Sequence, residues 1–294
     1  MENHPHRSNK ETTESTSSNM HPIRITAPWL ADAPRPITCL TAYDFTMAVL
    51  LDKAGIDLVL VGDSLASPMQ GKGNTLPVTM DQMVYHCACV TAGVQRAFVV
   101  GDMPFLSYQV STEEAVRNAG RLVQEGGVGG VKLEGGAPFA DTIRAIVRAE
   151  IPVMGHIGLT PQSVNRMGGY RVQGKGKEGE KNLRSRTRSQ ILADARAVES
   201  AGAFCLVVEG VPSELGAEIS REVSIPTIGI GAGSSCRGQI LVTHDMLGLS
   251  LRESPKFVKQ FGNLKEAVLQ SVAGYVNEVL AGKFPGPEHS YGDR

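Results

Sequence analysis

Residues 57–64 read DLVLVGDS: four apolar residues, Leu58 to Val61, closed by Gly62 and the acid Asp63. An unbroken apolar run of this length suits a strand buried on both faces, as a parallel sheet requires. Outward from it the same design recurs. ITCLTAYD (37–44) precedes it, and AFVVGDMP (97–104), GGVKLEGG (129–136), VMGHIG (153–158), FCLVVEG (204–210), TIGIGAG (227–233) and QILVTHD (239–245) follow. Several runs present an ionisable side chain as Gly or Pro ends them: Asp63, Asp102, Glu134, His156 and Glu209. The pattern predicts an α/β chain folded as a (β/α)8 TIM barrel whose strand ends converge on one active site, and therefore an enzyme. A doubly wound open sheet is the alternative, but no GxGxxG follows the first run and eight strands suit closure.

Between the runs lie helical patterns with recognisable starts. Thr79–Gln82 and Ser111–Glu114 fit the capping box, and Thr160-Pro161 sets a cap residue before a proline suited to a first turn. Residues 254–262 and 264–282 read as closing helices, and the stretch from Pro285 as loop. Residues 166–188 break the rhythm with a Gly-rich, basic stretch. GGYRVQG (168–174) reads either as a functional loop or as surface, and the basic insertion 175–188 as solvated surface. The polar residues 1–30 lack an apolar core and carry Glu2, Glu11 and Glu14, which counts against a signal or transit peptide. The expected division is a disordered tail over 1–30 and a single catalytic barrel over 31–294.

Composition narrows the class. The 294 residues, 41% of them hydrophobic, are enough to bury one large core. A net charge of −1 argues against bulk attraction to nucleic acid or an anionic membrane, and no apolar run nears the roughly 20 residues of a membrane span. The five cysteines read as reduced thiols of a cytoplasmic protein; Cys87 and Cys89, two apart on a predicted helix, make a poor metal pair.

Closure of a barrel would bring Asp63, Asp102 and Glu134 together from three consecutive strands. Neighbouring buried carboxylates raise one another's pKa unless a cation intervenes, and Mg2+ is the usual ion for oxygen ligands with retained waters. Lys132, two residues before Glu134, shares its face. It is open to three roles: an ion pair with a neighbouring acid, a clamp on a substrate carboxylate or enolate, or a Schiff base. His156 and Glu209 each suit a general acid or base, or a group that orients a neighbour. His244 and Asp245 are adjacent, so on a strand they would point to opposite faces, and they are left out of the catalytic set. GIGAG offers backbone amides to an anion.

The stretches TAYD, VGDSL, TLPVT, DMPF, VKLEGG, GHIGLTPQSVN, GGYRVQG, GIGAG and GQILVTHDMLG, in this order over residues 37–290, closely resemble the ketopantoate hydroxymethyltransferase family. The resemblance implies a barrel of the phosphoenolpyruvate/pyruvate type. It implies transfer of a hydroxymethyl group from 5,10-methylenetetrahydrofolate to 3-methyl-2-oxobutanoate, giving 2-dehydropantoate in pantothenate biosynthesis. Carried over by position, Asp63 and Asp102 ligate Mg2+, with Glu134 completing the site directly or through water. Asp63, Ser64, Asp102 and Lys132 contact the 2-oxo acid, His156 lines its pocket, and Glu209 is the proton acceptor. The family also implies a homo-oligomer, typically a decamer. The chain departs from the family pattern in the longer basic segment after GKG, and in SSCRG (234–238), where Arg237 stands in place of an expected acid.

Three rivals remain at this level. Another enzyme of the same barrel superfamily would share the metal acids and use no folate. A binding-only barrel conflicts with the retention of all five ionisable strand ends. A nucleic-acid protein rests on the basic insertion alone, which lacks interleaved aromatics.

Overall fold

A computed structural model of the chain describes residues 24–177 and 184–292. The eight runs form eight parallel strands: β1 (Ile37–Thr41), β2 (Leu58–Val61), β3 (Phe98–Asp102), β4 (Gly130–Glu134), β5 (Val153–Gly158), β6 (Cys205–Glu209), β7 (Thr227–Ile230) and β8 (Gly238–Leu241). They close in sequence order, with β8 paired to β1, so the barrel expectation holds.

Side-chain parity decides what faces the barrel axis. Leu58, Leu60, Phe98, Val100, Met154, Cys205, Val207, Ile228 and Ile240 pack in one cluster inside the barrel. Their odd-numbered or even-numbered neighbours, such as Val59, Val61, Val99, Val131, Leu133, Ile157 and Val208, pack in the layer beneath the helices. Counting on by two from the inner set puts Asp102, Lys132, Glu134, His156 and Glu209 on the inner face near the carboxyl ends of the strands. A slip of one residue in any strand would turn its functional group into the helix layer.

The outer layer contains α2 (Phe45–Lys53), α3 (Met80–Gly93), α4 (Thr112–Gln124), α5 (Ala140–Arg148), α7 (Arg188–Ser200) and α8 (Ser213–Glu222), with the short α6 (Val164–Met167) beyond β5. Thr79 and Gln82 make the full capping box at α3. At α4 the Ser111 hydroxyl accepts from the Glu114 amide, which is half of the expected box. Thr160 starts a 3-10 turn without capping it; its hydroxyl is buried and lacks a hydrogen-bond partner among the described residues.

Three boundary expectations are corrected. Residues Ala27–Ala31, read as part of a disordered tail, form α1, capped by Thr26, and Ile25 and Leu30 join the inner cluster at the amino-terminal end of the barrel. Apolar side chains beside Trp29 supply the burial that the polar composition of the first residues concealed; residues 1–23 lie outside the described residues. Residues 254–262 are not helical, since Pro255 and Gly262 interrupt the pattern. His244 and Asp245 sit on α9 (Thr243–Met246), not on a strand, because β8 ends at Leu241. Of the basic insertion, 178–183 lies outside the described residues; Arg186 pairs with Asp194 and Arg188 with Glu218, as a structural surface requires. Arg237 reaches from before β8 to the Ala33 carbonyl at 2.6 Å and so ties the barrel's last strand to the segment after α1.

The last helix, α10 (Leu264–Leu280), buries no residue, and its Val268, Leu269, Val272, Tyr275, Val276 and Val279 are 42–58% exposed.

Opposite the functional end, Asp57 is fully buried and accepts from both Arg35 guanidinium nitrogens at 2.7 Å and from the Thr38 amide and hydroxyl. Burial pushes this carboxyl up, but Arg35 and Thr38 outweigh it and hold it below its ordinary value. Asp57→Asn is expected to cost about 2 kcal/mol, less than a fully buried pair, because Arg35 is half in solvent. A carboxyl lowered on folding stabilises above its unfolded pKa and loses that effect as pH falls. The wild-type advantage in urea unfolding is therefore expected in full at neutral pH and to shrink below about pH 4.

Candidate active site

All seven side chains singled out from the sequence line one cavity of about 1390 Å3 at the carboxyl ends of the strands. Its floor is a dense set of buried charges. Lys132 Nζ lies 2.8 and 2.9 Å from the two Asp102 carboxylate oxygens, an ion pair between neighbouring strands β3 and β4. The Asp63 amide donates to Asp102 Oδ2 at 3.3 Å from the 3-10 turn that follows β2. Of the roles left open for Lys132, the ion pair is therefore formed, and the pair still faces the cavity.

The electrostatics follow from this crowding. Burial, then Asp102 and Glu134, push Asp63 well above the usual carboxylate range. Burial also raises Asp102, and Lys132 offsets only part of that. Lys132 is pulled down by burial, but Asp102, Glu134 and Asp63 outweigh it, so it is held as an ammonium. Such a floor stores an unmet demand for positive charge at Asp63.

His156 bridges the floor to the wall. Its Nδ1 is 3.6 Å from Glu134 Oε1 and its Nε2 is 3.1 Å from Glu209 Oε2, although neither contact is aligned as a hydrogen bond. Burial and the Lys132 ammonium push the imidazole down, yet the two flanking carboxylates win and lift it to about 9. Glu209 ends β6 and, at 17% side-chain exposure, is more open to the cavity than the floor acids. Its backbone position depends on Gly158: that residue has φ +92, and a Cβ there would stand 2.2 Å from the Glu209 carbonyl oxygen. Only glycine lets β5 end this close to β6.

Sequence reading missed two organising residues. Gln162 is buried in the turn after β5; its Nε2 donates to Asp63 Oδ2 at 2.9 Å and to the Met103 carbonyl at 3.0 Å, and its amide donates to Glu134 Oε2 at 2.9 Å. The Tyr108 hydroxyl lies 2.8 Å from Gln162 Oε1 and accepts from the Glu134 amide at 3.2 Å. One residue thus ties together acids at two different strand ends, Asp63 through its side-chain amide and Glu134 through its backbone N–H. Its sole signal was membership in GHIGLTPQSVN; a lone Gln after a proline has no spacing that marks it. Ser64 is held by the Tyr43 hydroxyl at 2.8 Å, and Tyr43 stacks on His244, which lines the same cavity.

Among the described residues, no three His, Cys, Asp or Glu side chains form a ready-made metal cage. A hard ion such as Mg2+ is commonly bound through one or two carboxylates and keeps several waters. Asp63 and Asp102 fit that donor chemistry. Asp63 Oδ1 carries no hydrogen bond among the described residues, and a cation beside it would relieve the repulsion that raises both acids.

The model of the ketopantoate hydroxymethyltransferase family matches residues 26–287. The chain belongs to this family. Among its relatives, 3-methyl-2-oxobutanoate hydroxymethyltransferase of Syntrophotalea carbinolica is 54% identical over 255 residues, covering 87% of this chain and 92% of that protein. The protein of the same name from Syntrophomonas wolfei is 51% identical over 271 residues, covering 91% and 95%. Solved structures share the fold at low identity. Phosphoenolpyruvate phosphomutase of Streptomyces platensis aligns with TM-score 0.60 at 15% identity over 91% of this chain and 92% of that one. A 2,3-dimethylmalate lyase, titled a member of the phosphoenolpyruvate mutase/isocitrate lyase superfamily, aligns at 0.57 and 17% identity over 90% and 93%. Phosphonopyruvate hydrolase, solved with oxalate and Mg2+, aligns at 0.58 and 12% over 91% and 90%. These structures thus share the closed eight-stranded barrel fold of this chain.

Proposed function

We infer that this chain performs its family's reaction, moving a one-carbon unit from 5,10-methylenetetrahydrofolate to 3-methyl-2-oxobutanoate with uptake of water, to give 2-dehydropantoate and tetrahydrofolate. The observation that carries the reading is the opposition of Glu209 to the Asp63–Asp102–Lys132 floor within one cavity. Asp63 and Asp102 would hold Mg2+, and Glu134, already engaged by Gln162 and His156, would reach it through water. When bound there the ion supplies Lewis-acid polarisation of the substrate carbonyl.

The chain's own groups do the rest. Lys132 keeps a positive charge at the floor where the 2-oxo acid's negative charge must settle, and Ser64, oriented by Tyr43, offers a hydroxyl at the same level. Glu209 takes the C3 proton, and the electron pair released moves toward the carbonyl as the enolate forms. His156 holds the Glu209 carboxylate from beneath, 3.1 Å away. Water frees the one-carbon unit from the folate nitrogens as formaldehyde, and the enolate carbon attacks that carbon, whose oxygen takes the proton held by Glu209 to become the hydroxymethyl group. Turnover of the two substrates with Mg2+ by the purified protein tests the reading; absence of product across metals and pH would overturn it.

The homo-oligomer, a decamer by the resemblance, belongs to the same proposal and is supported by the apolar residues left open along α10. So does a cytoplasmic location, supported by five free cysteines. Among the described residues, no helix is long and apolar enough to cross a membrane.

A further inference from the structure

The stretch GGYRVQG (168–174), which the sequence left open between functional loop and surface, meets the cavity through Tyr170 and Val172 and is anchored by Gln173. Gln173 is fully buried, and its side chain is satisfied within the insertion. Its Nε2 donates to the Arg171 carbonyl at 3.0 Å and the Arg184 carbonyl at 3.3 Å, and its Oε1 accepts from the Arg186 amide at 2.9 Å. The side chain so clasps the outgoing and returning arms of the insertion. The Gln173 backbone amide donates to the Gly210 carbonyl at 2.8 Å, the first carbonyl beyond Glu209. Gly210 is buried, so that carbonyl needs a donor, and Gln173 supplies it.

The same clasp reaches the exit of a second strand. Arg186 pairs with Asp194, which is 5% exposed and whose Oδ1 accepts from the Ala137 amide at 2.9 Å, in the turn after Glu134. Gly136 makes room for this carboxylate, since a Cβ there would stand 2.1 Å from its Oδ1. One chain of contacts, Gly210–Gln173–Arg186–Asp194–Ala137, therefore joins the ends of β6 and β4. The last residues of those strands, Glu209 and Glu134, are the two carboxylates that flank His156. Gln173, Arg186 and Asp194 are not among the described residues that line the cavity.

We propose that Gln173 and Asp194 are positioning residues for proton abstraction: the chain they complete fixes Glu209 relative to Glu134 across His156, and so sets where the Glu209 carboxylate meets C3 of the 2-oxo acid. The inference rests on the reading of Glu209 as the base. The Asp63–Asp102–Lys132 floor that takes the 2-oxo acid is held by hydrogen bonds of its own. Loss of the chain therefore costs rate and leaves substrate affinity in place. A reacting group displaced by about 1 Å can lose about a hundredfold in rate. Here the end of β6 keeps two other ties, from the Leu159 amide to the Glu209 carbonyl at 2.8 Å and from the Gly210 amide to the Ile230 carbonyl at 2.9 Å, so the loss is smaller.

The test is exchange of the C3 proton of 3-methyl-2-oxobutanoate with deuterated solvent in the presence of Mg2+, with calorimetric binding of the same 2-oxo acid to count folded sites. At saturating substrate, Gln173→Leu is expected to lower the exchange rate about tenfold, with KM and calorimetric affinity within about twofold of wild type. Asp194→Asn, which keeps an acceptor for the Ala137 amide and weakens only the contact to Arg186, is expected to lower it about threefold. Arg188→Gln, which breaks the neighbouring pair with Glu218 outside the chain, is expected to leave the rate unchanged. Because the role runs through Glu209, Gln173→Leu is expected to have no effect on the residual rate of Glu209→Gln, whereas a folding defect lowers both rates alike. Gln173→Leu/Asp194→Asn is expected to be no slower than Gln173→Leu, since members of one network are not additive. A wild-type rate in either single variant, an effect that persists in Glu209→Gln, or a loss confined to affinity overturns the proposal. An unchanged rate in Glu209→Gln alone overturns the base itself, and the proposal with it.

Discussion

Glu209→Gln is expected to abolish exchange of the C3 proton of 3-methyl-2-oxobutanoate with deuterated solvent, lowering its rate by about 10²–10⁴, the usual contribution of a positioned general base. Gln keeps the shape of the side chain and its approach to His156 but has no carboxylate to receive the proton. His156 is the other candidate for the base, and the structure argues against it. With its imidazole lifted to about 9 between Glu134 and Glu209, the ring is cationic at neutral pH and has no lone pair to accept a proton. Its place is to hold Glu209. Solvent exchange followed by proton NMR, without folate, isolates this step from the one-carbon transfer. Unchanged exchange in Glu209→Gln would move the base elsewhere.

Asp102→Ala is expected to lose turnover and also about 3 kcal/mol of stability. Lys132 is 5% exposed and its ammonium would be left buried without its main partner; the loss falls at the low end for broken buried pairs because Glu134 and Asp63 remain near it. The two losses have different causes, and a second variant separates them. In Asp102→Leu/Lys132→Met both charges are removed and apolar bulk fills the space. This protein is expected to recover at least about 1 kcal/mol relative to Asp102→Ala, as apolar replacements of buried pairs commonly do. It is nevertheless expected to stay inactive, because neither the acid nor the ammonium faces the substrate. Urea unfolding and product formation on the same samples check both halves. Recovery of activity together with stability would show that the pair serves the fold alone.

Legibility differed from residue to residue. Asp102, Lys132, Glu134 and Glu209 announced themselves because a strand has a period of two: once Leu58, Val100 or Val207 is assigned inward, the inward-facing polar residues follow by counting. Gln162 was invisible by that rule. It lies in a turn, where no period applies, and its importance comes from reaching Asp63 and Glu134, residues remote in sequence. His244 was misplaced for a related reason: the apolar run QILV continues beyond the point where β8 ends, and the turn into α9 left no mark in composition. The ordered start at Ala27 was hidden by the polar residues before it.

By itself, then, the sequence determined the barrel, the inward acids and the family, since buried parallel strands and their terminal residues are local patterns repeated eight times. The tertiary structure alone decided the pairings: Lys132 with Asp102 and not with Glu134, His156 between two carboxylates, and Gln162 as the tie between acids. The opening pattern in DLVLVGDS could place Asp63 at a strand end but could not say what would stand opposite it. Pair distances depend on barrel register and on loop paths, and those are set only when all eight strands close at once.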